Sequence, residues 1–197
     1  MFARLWDSIV KLGGRPERAH REELIGLALG RVLEVGAGTG LKFKLYGPQA
    51  SVVALEPEPT MVERARDHAR EAVARVRVLR GSGEALPFAE GSFDTAICCY
   101  VLCTIPDPRR AVEEIRRVLA PGGRVLLYEH VRSSRPLGAR WQDRLTPPWR
   151  FFGAGCHPNR DTVAALREGG FEVDVRRFDL GPPSPVRPHV LGAAHVP

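Results

Sequence analysis

The chain has 197 residues, 44% of them hydrophobic and 26% charged, which is enough for one globular domain with a full core and too few for two. Its net charge is +6, but bases and acids are interleaved along most of the chain, and no basic stripe with aromatics marks a nucleic-acid binder. No apolar run reaches the ~20 residues that span a bilayer and the N-terminus lacks a signal-peptide layout, so a single cytoplasmic domain over 1–197 is expected.

At the N-terminus, Phe2, Leu5, Trp6, Ile9 and Val10 fall on one helical face, and residues 1–30 read as a helical cap packed over a pocket. Peripheral membrane contact through residues 2–12 is the disfavoured alternative, because only Arg4 and Lys11 flank that face. Residues 17–29 are helix-like, 32–36 and 52–56 read as strands, and 58–72 as helix. Strands follow at 76–79, 94–99 and 124–130, with a helix at 108–119 that carries Ala111, Val112, Ile115 and Leu119 on one face and stops at Pro121-Gly122-Gly123. Residues 132–160 are rich in Pro, Gly, Arg and Trp without a clear period, and a long connection of that kind reads as a lid over a site. A helix at 161–169 and strands at 171–175 and 186–196 complete the chain. Strand and helix signals in alternation predict a parallel sheet covered on both faces.

The first strand ends in VLEVGAGTG, with Gly36, Gly38 and Gly40 spaced two apart. Glycines there, closing the strand where a helix should begin, leave backbone N–H groups and bare Cα atoms to face a ligand. Leu41 stands where a dinucleotide fingerprint needs its third glycine, which argues against NAD. A carboxylate, Glu34, sits inside this apolar run, where an unpaired charge is costly. About 20 residues beyond Gly36 the second strand ends in Glu56, the position at which such folds grip both ribose hydroxyls with one carboxylate. The four cysteines, Cys98, Cys99, Cys103 and Cys156, lack zinc-ligand spacing and read as buried packing in a reduced compartment.

These motifs resemble the class I S-adenosylmethionine-dependent methyltransferases. The likeness extends through GSGEALPFAEGSFDTAICCYVLCTI and LAPGGRVLLYEH over residues 20–196. Within the class, the VLCTIPDPRRAVEEIRRVLAPGG run, the Trp-rich WQDRLTPPW, GAGC and VRPHVLGAA look most like the thiol S-methyltransferases, and more distantly the ubiquinone/menaquinone C-methyltransferases. The resemblance implies an α/β, Rossmann-like fold: a seven-stranded, mostly parallel sheet with helices on both faces and the last strand antiparallel. It implies S-adenosylmethionine as cofactor, S-adenosylhomocysteine as product and no metal. Glu34 would organise the loop and meet the cofactor's amino group. Gly36, Ala37, Gly38 and Gly40 would lie along its methionine end, Glu56 at the ribose, and Gly83 and Glu84 where the adenine is held, with Pro57, Cys99 and Leu102 also binding the cofactor. Ser82 stands where many relatives carry an aspartate that accepts from the adenine amino group.

A sulfonium methyl is already activated, so catalysis reduces mainly to alignment in a site that excludes water. A thiol acceptor must also lose its proton. His130, ending the fifth strand beside Glu129, and His157 in the lid are the candidate bases, whereas His189 is expected to be structural. Tyr100 is expected to line the acceptor pocket, and Trp141, Trp149, Phe151 and Phe152 give an apolar lid suited to a small, apolar acceptor. The specific expectation is thiol S-methylation. C- or N-methylation of a quinone, phenol or lipid headgroup, or a cofactor-binding protein without turnover, are the alternatives.

Overall fold

The computed structural model describes residues 14–197; the apolar face at residues 2–12 lies outside them. Thirteen-residue helix α1 (Gly14–Gly26) leads into β1 (Gly30–Val35), whose last four residues are all buried, as a strand flanked on both edges and both faces demands. Then come β2 (Ala50–Glu56), α2 (Pro59–Arg70), β3 (Arg75–Arg80) and β4 (Phe93–Cys99). The second half contains α3 (Pro108–Val118), β5 (Leu119–His130), α4 (Pro136–Phe152), α5 (Thr162–Glu168), β6 (Glu172–Asp179) and β7 (Pro188–His195).

The helices start where the chain offers caps. Glu58 accepts from the Met61 N–H ahead of Pro59, and Asp107 accepts from the Arg109 and Arg110 N–H groups ahead of Pro108. Asp161 accepts from Ala164. Each satisfies donors that the first helical turn leaves orphaned.

The seven strands lie in the order β3-β2-β1-β4-β5-β7-β6. The first five are parallel, and β7 runs antiparallel to both β5 and β6, as expected of the sheet. Side-chain alternation along β1 sends Leu33 and Val35 into a core with α3 and α5, and Val32 into a second core with α1 and α2. Between β4 and β5 the pairing moves from Phe93↔Leu119 to Thr95↔Arg124. The intervening Pro121-Gly122-Gly123 is a bulge inside β5, with Gly122 at φ +71°, and not the gap between helix and strand that the sequence suggests.

Two expectations are overturned. No α-helix follows the glycine loop; the chain makes only a short 3₁₀ turn at Phe43–Leu45. The irregular lid at 132–160 is largely α4, a 17-residue helix containing Pro147 and Pro148. Gln142, 1% exposed, holds it down. Its Nε2 donates to the carbonyls of Val131, Pro158 and Pro185 at 3.1, 2.9 and 2.8 Å, and its Oε1 accepts from the Ser133 N–H at 2.7 Å. Phe151 and Phe152 project into solvent at 84% and 81% exposure. Among the described residues no helix is long and apolar enough to cross a membrane.

Candidate functional site

Strand order reverses between β1 and β4, and a crevice at the carboxyl ends of the strands flanking such a point is the ligand site of open α/β sheets. A cavity of about 920 Å³ lies there, large enough for a nucleoside-sized ligand together with a small second one. Its walls come from the loop after β1, the ends of β2 and β4, residues 81–84, His130 and residues 153–156, with Glu17 and Arg21 of α1 at one side.

The glycine loop is held mainly by the protein itself. The Ala37 N–H donates to the Leu55 carbonyl at 3.0 Å and the Gly38 N–H to Glu56 Oε2 at 2.9 Å, so neither donor is left aimed at a ligand. A Cβ on Gly36 would meet Val101 at 2.5 Å, and one on Gly40 would meet Phe43 at 2.5 Å; these two glycines answer to internal packing. Gly38, at φ +60°, is the one with open space, since a Cβ there would find nothing nearer than the Met61 sulfur at 4.0 Å.

Glu56 ends β2 at the cavity wall. Its Oε1 accepts from the Glu58 N–H at 3.1 Å and its Oε2 from Gly38. Burial raises its pKa, and those two backbone N–H groups oppose the rise. A carboxylate has about four acceptor positions, so two remain for hydroxyl donors. The open Cα at Gly38 and this spare capacity at Glu56 fit a ribose-bearing cofactor such as S-adenosylmethionine.

Glu34 does not line the cavity. Fully buried on the Val32 side of the sheet, it forms an ion pair with Lys42 at 2.9 Å and accepts from the Tyr46 hydroxyl at 2.7 Å. The buried acid in the opening motif is therefore explained by this chain's own cation rather than by a ligand. Burial works to lower the Lys42 pKa, and the charge and hydrogen bond of Glu34, with Cys99 nearby, together overcome it, leaving the ammonium more basic than usual. Lys42 itself reaches the cavity wall.

Of the residues that the resemblance assigns to the cofactor, Ala37, Pro57, Gly83, Glu84 and Cys99 line the cavity, whereas Gly40 and Leu102 do not. The Ser82 hydroxyl donates to Glu84 Oε2 at 3.0 Å, and Glu84 Oε1 accepts from the Asp107 N–H at 2.7 Å. Glu84 thereby ties the 81–84 turn to the cap of α3.

The wall also includes Tyr100, Val101, Cys103, Ile105, Ala154 and Cys156. Tyr100 and Ala154 are the non-glycine residues with positive φ among those described, at 59° and 50°, and strain of that kind gathers at functional sites. Glu129, fully buried, accepts from the N–H groups of Val101, Leu102 and Cys103 at 2.7, 2.9 and 3.2 Å. It clamps the turn after β4 and does not face the cavity.

His130 lines the cavity, with Nδ1 3.4 Å from Cys156 Sγ and 3.8 Å from Cys103 Sγ and its ring stacked on Tyr100 at 4.4 Å. Burial, with His189 beside it, holds its pKa down to about 3; a base that weak accepts a thiol proton poorly near neutrality. A hydrogen bond to Cys156, together with burial, pushes the Cys103 thiol up. His157 is absent from the cavity wall, its N–H donating to the Cys103 carbonyl at 2.7 Å. His189 is nearer than expected: β7 pairs it with His130, and its Nε2 lies 3.1 Å from the Tyr100 hydroxyl. The lid aromatics Trp141, Trp149, Phe151 and Phe152 do not line the cavity, so its apolar character comes from the turn after β4 instead.

Sequence reading missed Glu17, Arg21 and Lys42 at the wall. Arg21 carried no signal beyond its place on a helix; its guanidinium lies 5.7 Å over the Tyr100 ring and donates to Glu17 at 3.0 Å. Lys42, eight residues after a buried acid, was the findable one.

Comparison with known proteins gives the same picture. Residues 33–127 match a family described as a methyltransferase domain. The thiol S-methyltransferase TMT1B of Rattus norvegicus is 34% identical over 172 residues, covering 83% of this chain and 69% of that protein. The demethylmenaquinone methyltransferase of Thermus thermophilus is 37% identical over 102 residues, covering 50% of this chain and 46% of the other. The crystal structure of the YcgJ protein from Bacillus subtilis superimposes with a TM-score of 0.73 at 26% identity, covering 83% of this chain and 73% of that one.

Proposed function

The chain belongs to the S-adenosylmethionine-dependent methyltransferases, and from that premise we propose that it methylates the sulfur of a small, apolar thiol. The observation that carries the reading is the extent of the likeness to thiol S-methyltransferase TMT1B. An alignment spanning 83% of this chain is too long to omit the segment from Cys99 to Cys156 that forms the acceptor wall. The demethylmenaquinone methyltransferase likeness, at 50% of this chain, carries no such implication.

When bound, S-adenosylmethionine supplies a methyl group already activated on a sulfonium. The chain's own contribution is position and dryness. Glu56 and the open Cα of Gly38 hold the ribose and methionine side of the cavity, and the Ser82–Glu84 turn supports the adenine side. Tyr100, Val101, Ile105 and Ala154 offer an acceptor an apolar wall, which favours an uncharged molecule over a nucleic acid or a charged protein tail.

The test is calorimetric titration with S-adenosylhomocysteine, then mass-spectrometric product detection with S-adenosylmethionine and a panel of apolar thiols, phenols and quinones. Binding with methylthioether products from the thiols supports the reading. Products methylated at carbon, nitrogen or phenolic oxygen alone would assign another acceptor class, and binding without any product would remove catalysis.

A further inference from the structure

The turn after β4, the end of β5 and the turn after α4 bring three metal-ligating side chains to one point of the acceptor wall. Cys103 Sγ, His130 Nδ1 and Cys156 Sγ all lie within 4.8 Å of one another, with Nδ1 3.8 and 3.4 Å from the two sulfurs. An ion held tetrahedrally at about 2.3 Å from sulfur and 2.0–2.1 Å from nitrogen sets its nitrogen and sulfur ligands about 3.6 Å apart. The two observed nitrogen–sulfur separations bracket that value.

The cysteines are 0% and 5% exposed and are free thiols, and all three residues line the cavity. Their supports are rigid. Cys103 is fixed by its N–H to Glu129 and by its carbonyl, which accepts from His157. The Cys156 N–H closes a turn onto the Gly153 carbonyl at 3.0 Å, and the His130 ring is held between Tyr100 and His189. Arg160, anchored on the carbonyls of Leu102, Ile105 and Pro106, sits within electrostatic reach of both sulfurs. It is a cation ready to offset charge on thiolates.

We propose that Cys103, His130 and Cys156 bind one zinc ion whose fourth coordination position faces the cavity. Two sulfurs and an imidazole are a soft set that selects zinc over magnesium or calcium, and three protein ligands with an open position is the arrangement of a reactive rather than a structural zinc. The role that follows rests on the thiol reading. Binding the ion releases the Cys103 and Cys156 thiol protons to water, and the acceptor then takes the open position in place of a water molecule: its S–H proton leaves to water, a sulfur lone pair bonds to zinc, and no oxidation state changes. The acceptor is then held as a thiolate, with no need of a basic side chain.

Cobalt(II) replaces zinc and reports its ligands by colour, so the test titrates the reduced, chelator-treated full chain with Co²⁺ alone. Expected is one equivalent bound, with thiolate-to-cobalt absorption in the near ultraviolet, intense tetrahedral bands in the visible, and displacement of both by Zn²⁺. Cys156→Ala and Cys103→Ala should each weaken binding by about 100-fold or more, while Cys98→Ala, a core cysteine off the cavity wall, leaves it unchanged. Circular dichroism and S-adenosylhomocysteine binding on each variant separate ligand loss from misfolding. No cobalt bound to the wild-type protein, a weak octahedral spectrum, or full affinity in folded Cys156→Ala would overturn the site. Benzenethiol added to the cobalt protein should then shift the visible bands. A cobalt site unmoved by thiols would overturn its role in activation, and a thiol-responsive site in a protein that methylates no thiol would sink only the acceptor reading.

Discussion

Gln142→Leu offers a direct test of the architecture around α4. The side chain is buried, neutral and nearly the size of leucine, so the substitution removes hydrogen bonds while leaving volume and charge almost unchanged. The Ser133 N–H loses its acceptor, and the carbonyls of Val131, Pro158 and Pro185 lose their shared donor. The amide has two N–H groups for three carbonyls, so about three bonds' worth of pairing disappears. At about 1–3 kcal/mol for each buried group left unpaired, toward the lower end because carbonyls tolerate under-satisfaction better than N–H groups, the expected loss is about 3–5 kcal/mol. That is a large share of a typical domain's stability. Urea denaturation followed by circular dichroism should give a lower midpoint at unchanged slope. Gln142→Glu extends the test: its carboxylate would face three carbonyls, which raises its pKa in the folded state. Relative to wild type, its stability should be greatest below the ordinary glutamate range and fall as pH rises through the raised value. A leucine variant within about 0.5 kcal/mol of wild type would mean that residues 132–160 are a solvated lid after all.

Glu34→Ala strands the Lys42 ammonium beside the core and should cost about 3–5 kcal/mol, with Glu34→Leu plus Lys42→Met recovering much of it; denaturation midpoints of the three proteins decide. Glu56→Ala should weaken S-adenosylhomocysteine binding by about 1–3 kcal/mol in calorimetry. Because burial raises the Glu56 pKa above the ordinary 4.5 and hydroxyl donors favour the ionised form, wild-type binding should begin to weaken, as pH falls, at a higher pH than an ordinary glutamate would dictate. Glu56→Gln should flatten that dependence, and an identical profile would exclude Glu56 from the ribose. Ala154→Gly relieves a positive φ at some entropic cost, for a net gain of about 0.5–1 kcal/mol in thermal unfolding; a loss would mean the methyl group packs better than its backbone suggests.

What could be read in advance had local causes. Hydrophobic period and punctuation located nearly all the strands and helices. The glycine loop and Glu56 stood at the spacing that a strand, a turn and a second strand impose. What was hidden depended on the third dimension. Pro147 and Pro148 made α4 look irregular, because local propensity counts the lost N–H groups but not what Gln142 gains by reaching three segments. Glu34 was attributed to a cationic ligand because the chain's own cation, Lys42, reaches it only once the loop after β1 turns back on itself. Cys103, His130 and Cys156 show no ligand spacing, since their proximity exists only once β4 and β5 lie side by side and α4 returns the chain.

The sheet order also sets a timetable for synthesis. β6 leaves the ribosome before β7, yet β7 is its one partner among the described residues and lies between it and β5. Until residues 188–195 emerge, the far edge of β5 stands open and β6 has nothing to pair with, at the stage when exposed strand edges invite association with other chains. The cofactor side of the cavity is complete in the nascent chain well before this. His130 gains its neighbour His189 only with β7, so this part of the acceptor wall sets after the cofactor side. Slowed translation between residues 179 and 195 should therefore lower folding yield.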